Sequence, residues 1–306
     1  MADLPAAVDI REVGMRDGLQ LEAPLPLEAK LELLDAIAAT GVRRVEVTSF
    51  VSPQAVPALA DAEQVVAELG RWPQLQFSAL VAGYGGARRA VAAGLPELEY
   101  VISASDGHSL ANARRPTADA VAAVGDIAAM AHTAGGQCEV IIAVAWDCPF
   151  DGRTPVERTV DVARRAIDAG ADRLCLGDTI GTTVPGRVVD LLGAVGAACP
   201  GIEIGVHFHN TRGSGLAGVL AAAQAGAVQI DASVGGLGGC PFAPGASGNV
   251  ATEEVVYLFE ESGVKTGIDL DAVLAAAAVV ERLVGHELSS NLYRAGGRSR
   301  PLPRPA

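Results

Sequence analysis

Short runs of β-branched and other apolar residues alternate with alanine-rich segments along most of the chain. The runs have the length and composition of buried strands. The segments between them repeat apolar residues at helical spacing, as in 27–39 and 154–169, which we predict to be helices. Eight strands are predicted in this way, at 8–13, 43–48, 75–81, 98–104, 139–145, 173–177, 202–209 and 228–233.

A glycine follows each of several predicted helices, where a left-handed cap would end the helix; these glycines are Gly41, Gly70, Gly94, Gly135, Gly170 and Gly226. Repeated units of strand, helix and glycine indicate parallel strands, because a parallel connection needs a crossover. Eight units in roughly 250 residues predict an α/β protein with a closed (β/α)8 TIM barrel. An open doubly wound sheet is the alternative, and it is disfavoured because no GxGxxG turn follows the first strand.

We predict two regions, a catalytic barrel over 1–267 and a C-terminal appendage over 268–306. The appendage begins with the helical stretch 270–283 and ends in a glycine- and proline-rich tail. Such tails are usually frayed.

The acidic net charge of the chain limits the kinds of molecule that it is expected to bind. The 306 residues are half hydrophobic and carry a net charge of -13, which argues against nucleic acid or an anionic membrane as partner. No targeting signal or membrane-spanning run is recognised, so we predict a cytoplasmic protein. Five cysteines without CxxC spacing predict neither disulfides nor a thiolate zinc site. We expect Cys138, Cys175 and Cys199 to be core residues, and the chemistry of Cys148 stays open.

Unusual polar stretches follow the predicted strands. They are GMRDGLQ (14–20), EVTSF (46–50), WDCPFDG (146–152), GDTIG (177–181), HFHNTRG (207–213) and GGLGGCPFAPGASGN (235–249). The active site of a TIM barrel lies at the carboxyl ends of its strands. These stretches are therefore expected to meet on one rim.

Two histidines one residue apart point to a metal site. Alternate residues of a strand share a face, so His207 and His209 would lie side by side. With Asp17 they offer an open divalent-cation site, to which Asn249 can add an amide oxygen. Mg²⁺ or Mn²⁺ is the favoured cation, while Zn²⁺, Co²⁺ and Fe²⁺ stay open. The alternative is a pair of hydrogen-bonded core histidines.

Arg16 is the candidate group for a developing oxyanion, with Glu46 on the next strand to hold it. We expect Arg16 and Asp17 to point apart, since they are adjacent in the chain; an exposed Arg–Glu pair is the alternative. Cys240 stands in a long glycine-rich loop and is a candidate acid or nucleophile. Asp178 is a candidate for a substrate contact, or else a cap for the turn that follows it.

Several of these stretches resemble one known family. RDGLQ (16–20), VTSFVSP (47–53), GDTIG (177–181), HFH (207–209) and GGLGGCPFAPGASGNVATE (235–253) are similar to 3-hydroxy-3-methylglutaryl-CoA lyases, which belong to a group of metal-dependent barrel lyases and synthases. The resemblance runs from about residue 8 to residue 267, and the cysteine loop is its most specific part.

The resemblance implies that Asp17, His207, His209 and Asn249 hold Mg²⁺ or Mn²⁺. It implies that Arg16 lies near the thioester carbonyl of an acyl-CoA substrate and that Cys240 is a mobile catalytic thiol. The expected reaction is a retro-Claisen cleavage to acetyl-CoA and acetoacetate, in leucine or terpenoid breakdown. We predict catalytic roles for Arg16, Glu46, Asp178, His207 and Cys240, and acyl-CoA contacts for Gln20, Ser49 and Arg114.

The chain also departs from the family. Asn210 and Arg212 replace the aspartate and tyrosine that often follow the histidine pair, and Ala23 stands where a lysine is expected. A different acyl substituent therefore stays open, as do a condensing synthase, a 4-hydroxy-2-oxoacid aldolase and a noncatalytic acyl-CoA binding protein. A synthase would need a regulatory domain larger than 268–306. We further predict a homodimer.

Overall fold

A computed structural model describes residues 4–239 and 248–298. Within them, eight parallel strands close a barrel, and their order around it is 9–12, 229–232, 204–208, 173–178, 138–143, 98–103, 76–81 and 44–50. Each of the eight predicted runs supplies one barrel strand, so the (β/α)8 prediction is confirmed. The strands are β1 (Asp9–Glu12), β2 (Arg44–Phe50), β3 (Gln76–Val81), β4 (Leu98–Ser103), β5 (Cys138–Ala143), β8 (Arg173–Asp178), β9 (Ile204–Phe208) and β10 (Gln229–Ala232), while β6 (Asp147–Cys148) and β7 (Gly152–Arg153) form a separate hairpin.

Helices cover the outside of the barrel. They are α1 (Leu27–Ala38), α2 (Ala62–Ala67), α3 (Tyr84–Ala92), α4 (Asp106–Ala113), α5 (Thr117–Ala122), α6 (Val124–Thr133), α7 (Val156–Asp168), α8 (Pro185–Ala198), α9 (Gly215–Gln224), α10 (Thr252–Glu261), α11 (Leu270–Val284) and α12 (Asn291–Ala295). The apolar stripe of each longer helix is buried, as Leu33, Leu34 and Ile37 are in α1. None of the helices in the described ranges combines the length and the apolar character that a bilayer crossing requires.

Two local features differ from the sequence expectation. Gly70 does not end a helix in the left-handed region; it lies inside the 3-10 turn Leu69–Arg71. The other five predicted cap glycines do have positive φ. The β6–β7 hairpin was not predicted, because two-residue strands carry no detectable alternation of polar and apolar positions.

The inside of the barrel contains a layer of charge. Arg11 on β1 reaches across to Glu99 on β4 and Glu139 on β5, with N–O distances of 2.7 and 2.9 Å. It also makes a bidentate pair with Asp231 on the neighbouring strand β10, at 2.8 and 2.9 Å. All four side chains are at most 3 % exposed. One cation thus serves three carboxylates, and burial raises the pKa of Glu99 well above its ordinary value.

Removing the cation of this layer should be costly. Arg11→Met is expected to destabilise the protein by about 3–5 kcal/mol, because it leaves buried carboxylates without their partner. Chemical denaturation of the metal-free protein measures the effect. Arg164→Met is the matched control: Arg164 pairs with Asp161 on the surface of α7, where a change within about 0.5 kcal/mol is expected. Equal stability of the two variants would contradict the prediction.

The segment that begins at α11 packs closely on the barrel. Val273, Ala276, Ala277 and Val280 of α11 are buried, and the helix contacts α1 and the 3-10 turn Val234–Gly236. The predicted helix 270–283 is therefore present, in contact with the barrel wall.

Candidate active site

The first element of the site is a tight turn after β1. Residues Gly14–Gly18 form one turn of π-helix, and all five are buried. Because the turn is helical rather than extended, Arg16 and Asp17 do not point apart: a guanidinium nitrogen of Arg16 donates to the Asp17 carboxylate. This corrects the expectation that the two adjacent side chains diverge. Gln20 also donates to Asp17, over 3.0 Å.

The two histidines lie beside this turn. His207 and Phe208 are the last two residues of strand β9, and His209 follows directly. The ring centroids of His207 and His209 are 5.2 Å apart. Asp17, His207 and His209 are buried and each offers one ligand atom, with these atoms within 4.8 Å of one another. The predicted grouping of the three side chains therefore occurs in the structure.

Electrostatics favour the metal-binding forms of two of these three side chains, Asp17 and His209. Burial opposes ionisation of Asp17, but Arg16 and the two imidazoles lower its pKa to about 2. Burial, with His207 nearby, lowers the pKa of His209 to about 4. Near neutral pH the cluster therefore offers a carboxylate and a neutral imidazole, which are the forms that bind a metal ion.

Asn249 completes the cluster from the segment after β10. A backbone bridge joins it to His209. Its amide nitrogen donates to Asp17 over 2.8 Å and to the Leu237 carbonyl over 3.0 Å. Asn249 Oδ1 is buried and has no hydrogen-bond partner among the described residues. An unpaired buried oxygen beside three ligand-type side chains fits a hard divalent cation.

Glu46 holds Arg16, as predicted. Its carboxylate lies on β2 with no exposed surface, 2.6 Å from Arg16 Nε. Arg16 is 6 % exposed, so the exposed Arg–Glu pair considered as an alternative is absent here. The buried guanidinium of Arg16 is held in place by Glu46 and Asp17, so it is a preorganised positive group at the site.

The cysteine loop begins and ends beside the cluster. Cys240 lies outside the described residues, so its role stays a prediction. The two loop ends touch: a Cβ on Gly248 would lie 2.3 Å from the Gly238 carbonyl oxygen, and both glycines have positive φ. A Cβ on Gly238 would lie 3.4 Å from Asp17 Oδ2. Only glycine fits this close crossing.

Two buried carboxyls that the sequence did not predict, Glu12 and Glu253, bind the backbone at the start of this loop. Glu12 accepts from the amides of Gly14 and Val234, at 2.8 and 2.9 Å, and from Thr252 Oγ1 at 2.6 Å. Glu253 accepts from the Gly235 amide at 3.0 Å. Burial raises the pKa of each to about 7. Glu12 thus joins the Asp17 turn to the start of the loop. No pattern in the sequence distinguishes it from an exposed charge, since Arg11 precedes it.

The remaining predicted site residues have different surroundings. Asp178 accepts from the amides of Thr182 and Thr183, at 3.0 and 2.9 Å, which are the contacts of a turn cap, and its role toward a substrate stays a prediction. Ser49 is buried on β2. Arg114 is exposed at the end of α4 with φ of 56°.

The cysteines expected in the core are there. Cys138, Cys175 and Cys199 are buried, and burial raises the pKa of each thiol. Cys148, whose chemistry was open, is also buried and accepts a hydrogen bond from Ser105 Oγ at 2.8 Å.

A (β/α)8 barrel with an Asp–His–His cluster at the carboxyl ends of its strands defines a barrel enzyme with a candidate metal site. The chain belongs to the HMGL-like family, which matches residues 7–280. It is 37% identical over 287 residues to a hydroxymethylglutaryl-CoA lyase of Bacillus subtilis, covering 94% of this chain and 96% of that one. It is 40% identical to (R)-citramalyl-CoA lyase of Chloroflexus aurantiacus, with 95% of each chain covered.

Solved structures agree with this assignment. An HMG-CoA lyase of Acinetobacter baumannii, in complex with coenzyme A and 3-methylmalate, superposes with a TM-score of 0.93 at 38% identity over 100% of both chains. The protein is therefore a lyase, and the family resemblance seen in the sequence is confirmed.

Proposed function

We propose that this enzyme cleaves 3-hydroxy-3-methylglutaryl-CoA, or a close 3-hydroxy-3-carboxyalkyl thioester, to acetyl-CoA and the matching 3-oxo or 2-oxo acid. The observation that carries the proposal is the buried group of Asp17, His207, His209 and Asn249 beside the Arg16–Glu46 pair. The lyase relatives act on thioesters of this class, and the complex of one of them with coenzyme A supports an acyl-CoA substrate.

The proposed ligands of the divalent cation are Asp17, His207, His209 and Asn249, with Mg²⁺ or Mn²⁺ as the favoured ion. When bound, such a cation supplies Lewis-acid chemistry, which lowers the pKa of an alcohol and orients a carboxylate.

The chain's own groups account for the proton and charge movements. The proposed base is Asp17, through its second carboxylate oxygen, because the ring nitrogen of His207 that could accept a proton is the proposed cation ligand. The oxygen then forms a carbonyl as the adjacent carbon–carbon bond breaks, and the bonding electrons move into the enolate of acetyl-CoA. Arg16, fixed by Glu46, donates to the enolate oxygen. Cys240 gives its proton to the enolate carbon, which completes acetyl-CoA.

The length of the acid part of the substrate is the open specificity question. In 3-hydroxy-3-methylglutaryl-CoA a methylene separates the carboxylate from the tertiary carbon, whereas in citramalyl-CoA the carboxylate is attached directly. Arg212, at a position where the chain departs from the family, donates to the Ile180 carbonyl over 2.6 Å and joins the loops after β8 and β9. A homodimer and a cytoplasmic location stay predictions.

The function is tested by incubating purified protein and Mn²⁺ with 3-hydroxy-3-methylglutaryl-CoA and, separately, with citramalyl-CoA. Acetyl-CoA is expected from at least one of them, with acetoacetate or pyruvate as coproduct, and EDTA should stop its release. His209→Ala should weaken Mn²⁺ binding, because it removes one imidazole ligand.

Other outcomes would identify the alternatives. Product formed only from acetyl-CoA and a 2-oxo acid would indicate a condensing synthase. Cleavage of only free 4-hydroxy-2-oxo acids would indicate an aldolase. Binding of acyl-CoA with no turnover of any thioester would contradict a lyase function.

A further inference from the structure

His207 contacts a residue that has no part in the cluster described above. Its Nδ1 lies 3.2 Å from Asp231 Oδ2. Asp231 is 1 % exposed, and strand register places it directly beside His207, with Arg11 beside it on the other flank. The three side chains therefore stand at one level of the barrel wall, on β9, β10 and β1.

Arg11 fixes both oxygens of Asp231. The pair is bidentate, at 2.8 and 2.9 Å, and this geometry limits rotation of the carboxylate. Each oxygen of this carboxylate accepts an N–H of the Arg11 guanidinium, which stays charged in proteins. The carboxylate paired with it accepts hydrogen bonds, so the proton in the contact with His207 belongs to His207 Nδ1.

We propose that Asp231 is a positioning residue for the metal site: it fixes His207 as the Nδ1–H tautomer and leaves the Nε2 lone pair for the cation. A histidine that ligates a metal needs one free ring nitrogen, and a hydrogen bond at the other nitrogen selects the tautomer and the ring orientation. Arg11, in turn, orients Asp231. This inference rests on the metal site proposed above, but it does not depend on the identity of the thioester.

The test is the Mn²⁺ affinity of Asp231→Asn, measured from the signal of free Mn²⁺ in electron paramagnetic resonance. The Kd is expected to rise about 10- to 100-fold. Glu139→Gln is the matched control, because it removes one carboxylate charge from the same arginine, 2.9 Å from Arg11 Nη2, without contacting His207. It should change the Kd less than threefold.

The outcomes separate this inference from the proposed function. A wild-type protein that binds no Mn²⁺ would contradict the metal site itself. Wild-type binding with an unchanged Kd in Asp231→Asn, or an equal loss in Glu139→Gln, would overturn only the role of Asp231.

A measurement on the wild-type protein keeps the inference testable if Asp231→Asn does not fold. Long-range ¹H–¹⁵N spectra of histidine-labelled, metal-free protein at pH 9 report which ring nitrogen carries the proton. The His207 signals, assigned by their loss in His207→Asn, should show a protonated Nδ1 and a bare Nε2. The opposite tautomer would overturn the proposal.

Discussion

Arg16→Gln is expected to lower kcat by about 10²–10³-fold, because it removes a preorganised charge from the place where the enolate oxygen develops. The effect should fall mainly on kcat rather than KM, since the oxygen carries full charge only as the carbon–carbon bond breaks. Glutamine keeps a donor but loses the charge that Glu46 and Asp17 hold in place. Steady-state kinetics with the best thioester substrate measure the change.

A matched arginine substitution controls for general damage. Arg164 on α7 pairs with Asp161 at 3.2 Å, and both side chains are exposed, so Arg164→Gln should retain kcat within about twofold, as surface changes usually do. Because Arg16 also donates to the proposed metal ligand Asp17, kcat is compared at Mn²⁺ concentrations that saturate each variant. A kcat loss below tenfold in Arg16→Gln would contradict its proposed role.

Cys240→Ser is expected to retain Mn²⁺ binding and to lower kcat by about 10²–10⁴-fold, the usual contribution of a positioned acid or base. A hydroxyl is a far weaker acid than a thiol and protonates the enolate carbon poorly. Its position in the chain supports a role at the site, because Cys240 follows Gly238 by two residues and a Cβ on Gly238 would lie 3.4 Å from Asp17 Oδ2. Turnover, together with the rate at which the enzyme exchanges the methyl protons of added acetyl-CoA for deuterium in D₂O, measures the effect.

Cys199→Ser is the control for this prediction. Cys199 is buried where α8 ends, and its loss should leave both turnover and deuterium exchange close to wild type. A wild-type rate of deuterium exchange into acetyl-CoA by Cys240→Ser would exclude the thiol as the proton donor.

The barrel strands were predictable because each is a short apolar run that needs no long-range information. The histidine pair was predictable for a similar reason, since strand periodicity alone places His207 and His209 on one face. The π-helical turn at Gly14–Gly18 was not, because no local pattern distinguishes it from an extended strand end. The relation between Arg16 and Asp17 was therefore misjudged.

The interior charges were hidden for a different reason. Arg11, Glu99, Glu139 and Asp231 lie on four different strands, and nothing in any one of these strands identifies their partners. Only closure of the barrel brings them together, across as many as 220 residues of chain for Arg11 and Asp231. The guanidinium of Arg11 pairs with all three carboxylates, and the sequence of any one strand does not show this pairing.

The residues after α11 contact the segment that precedes the cysteine loop. Leu288 packs where a Cβ on Gly235 would stand, Ser289 Oγ donates to the Gly236 carbonyl over 3.0 Å, and the Ser290 amide donates to Gly235 over 3.2 Å. Glu254 accepts from the Asn291 amide over 2.6 Å. These contacts hold the segment that leads into the cysteine loop. Truncating the chain before residue 288, or fusing another protein there, is therefore expected to lower activity at the site.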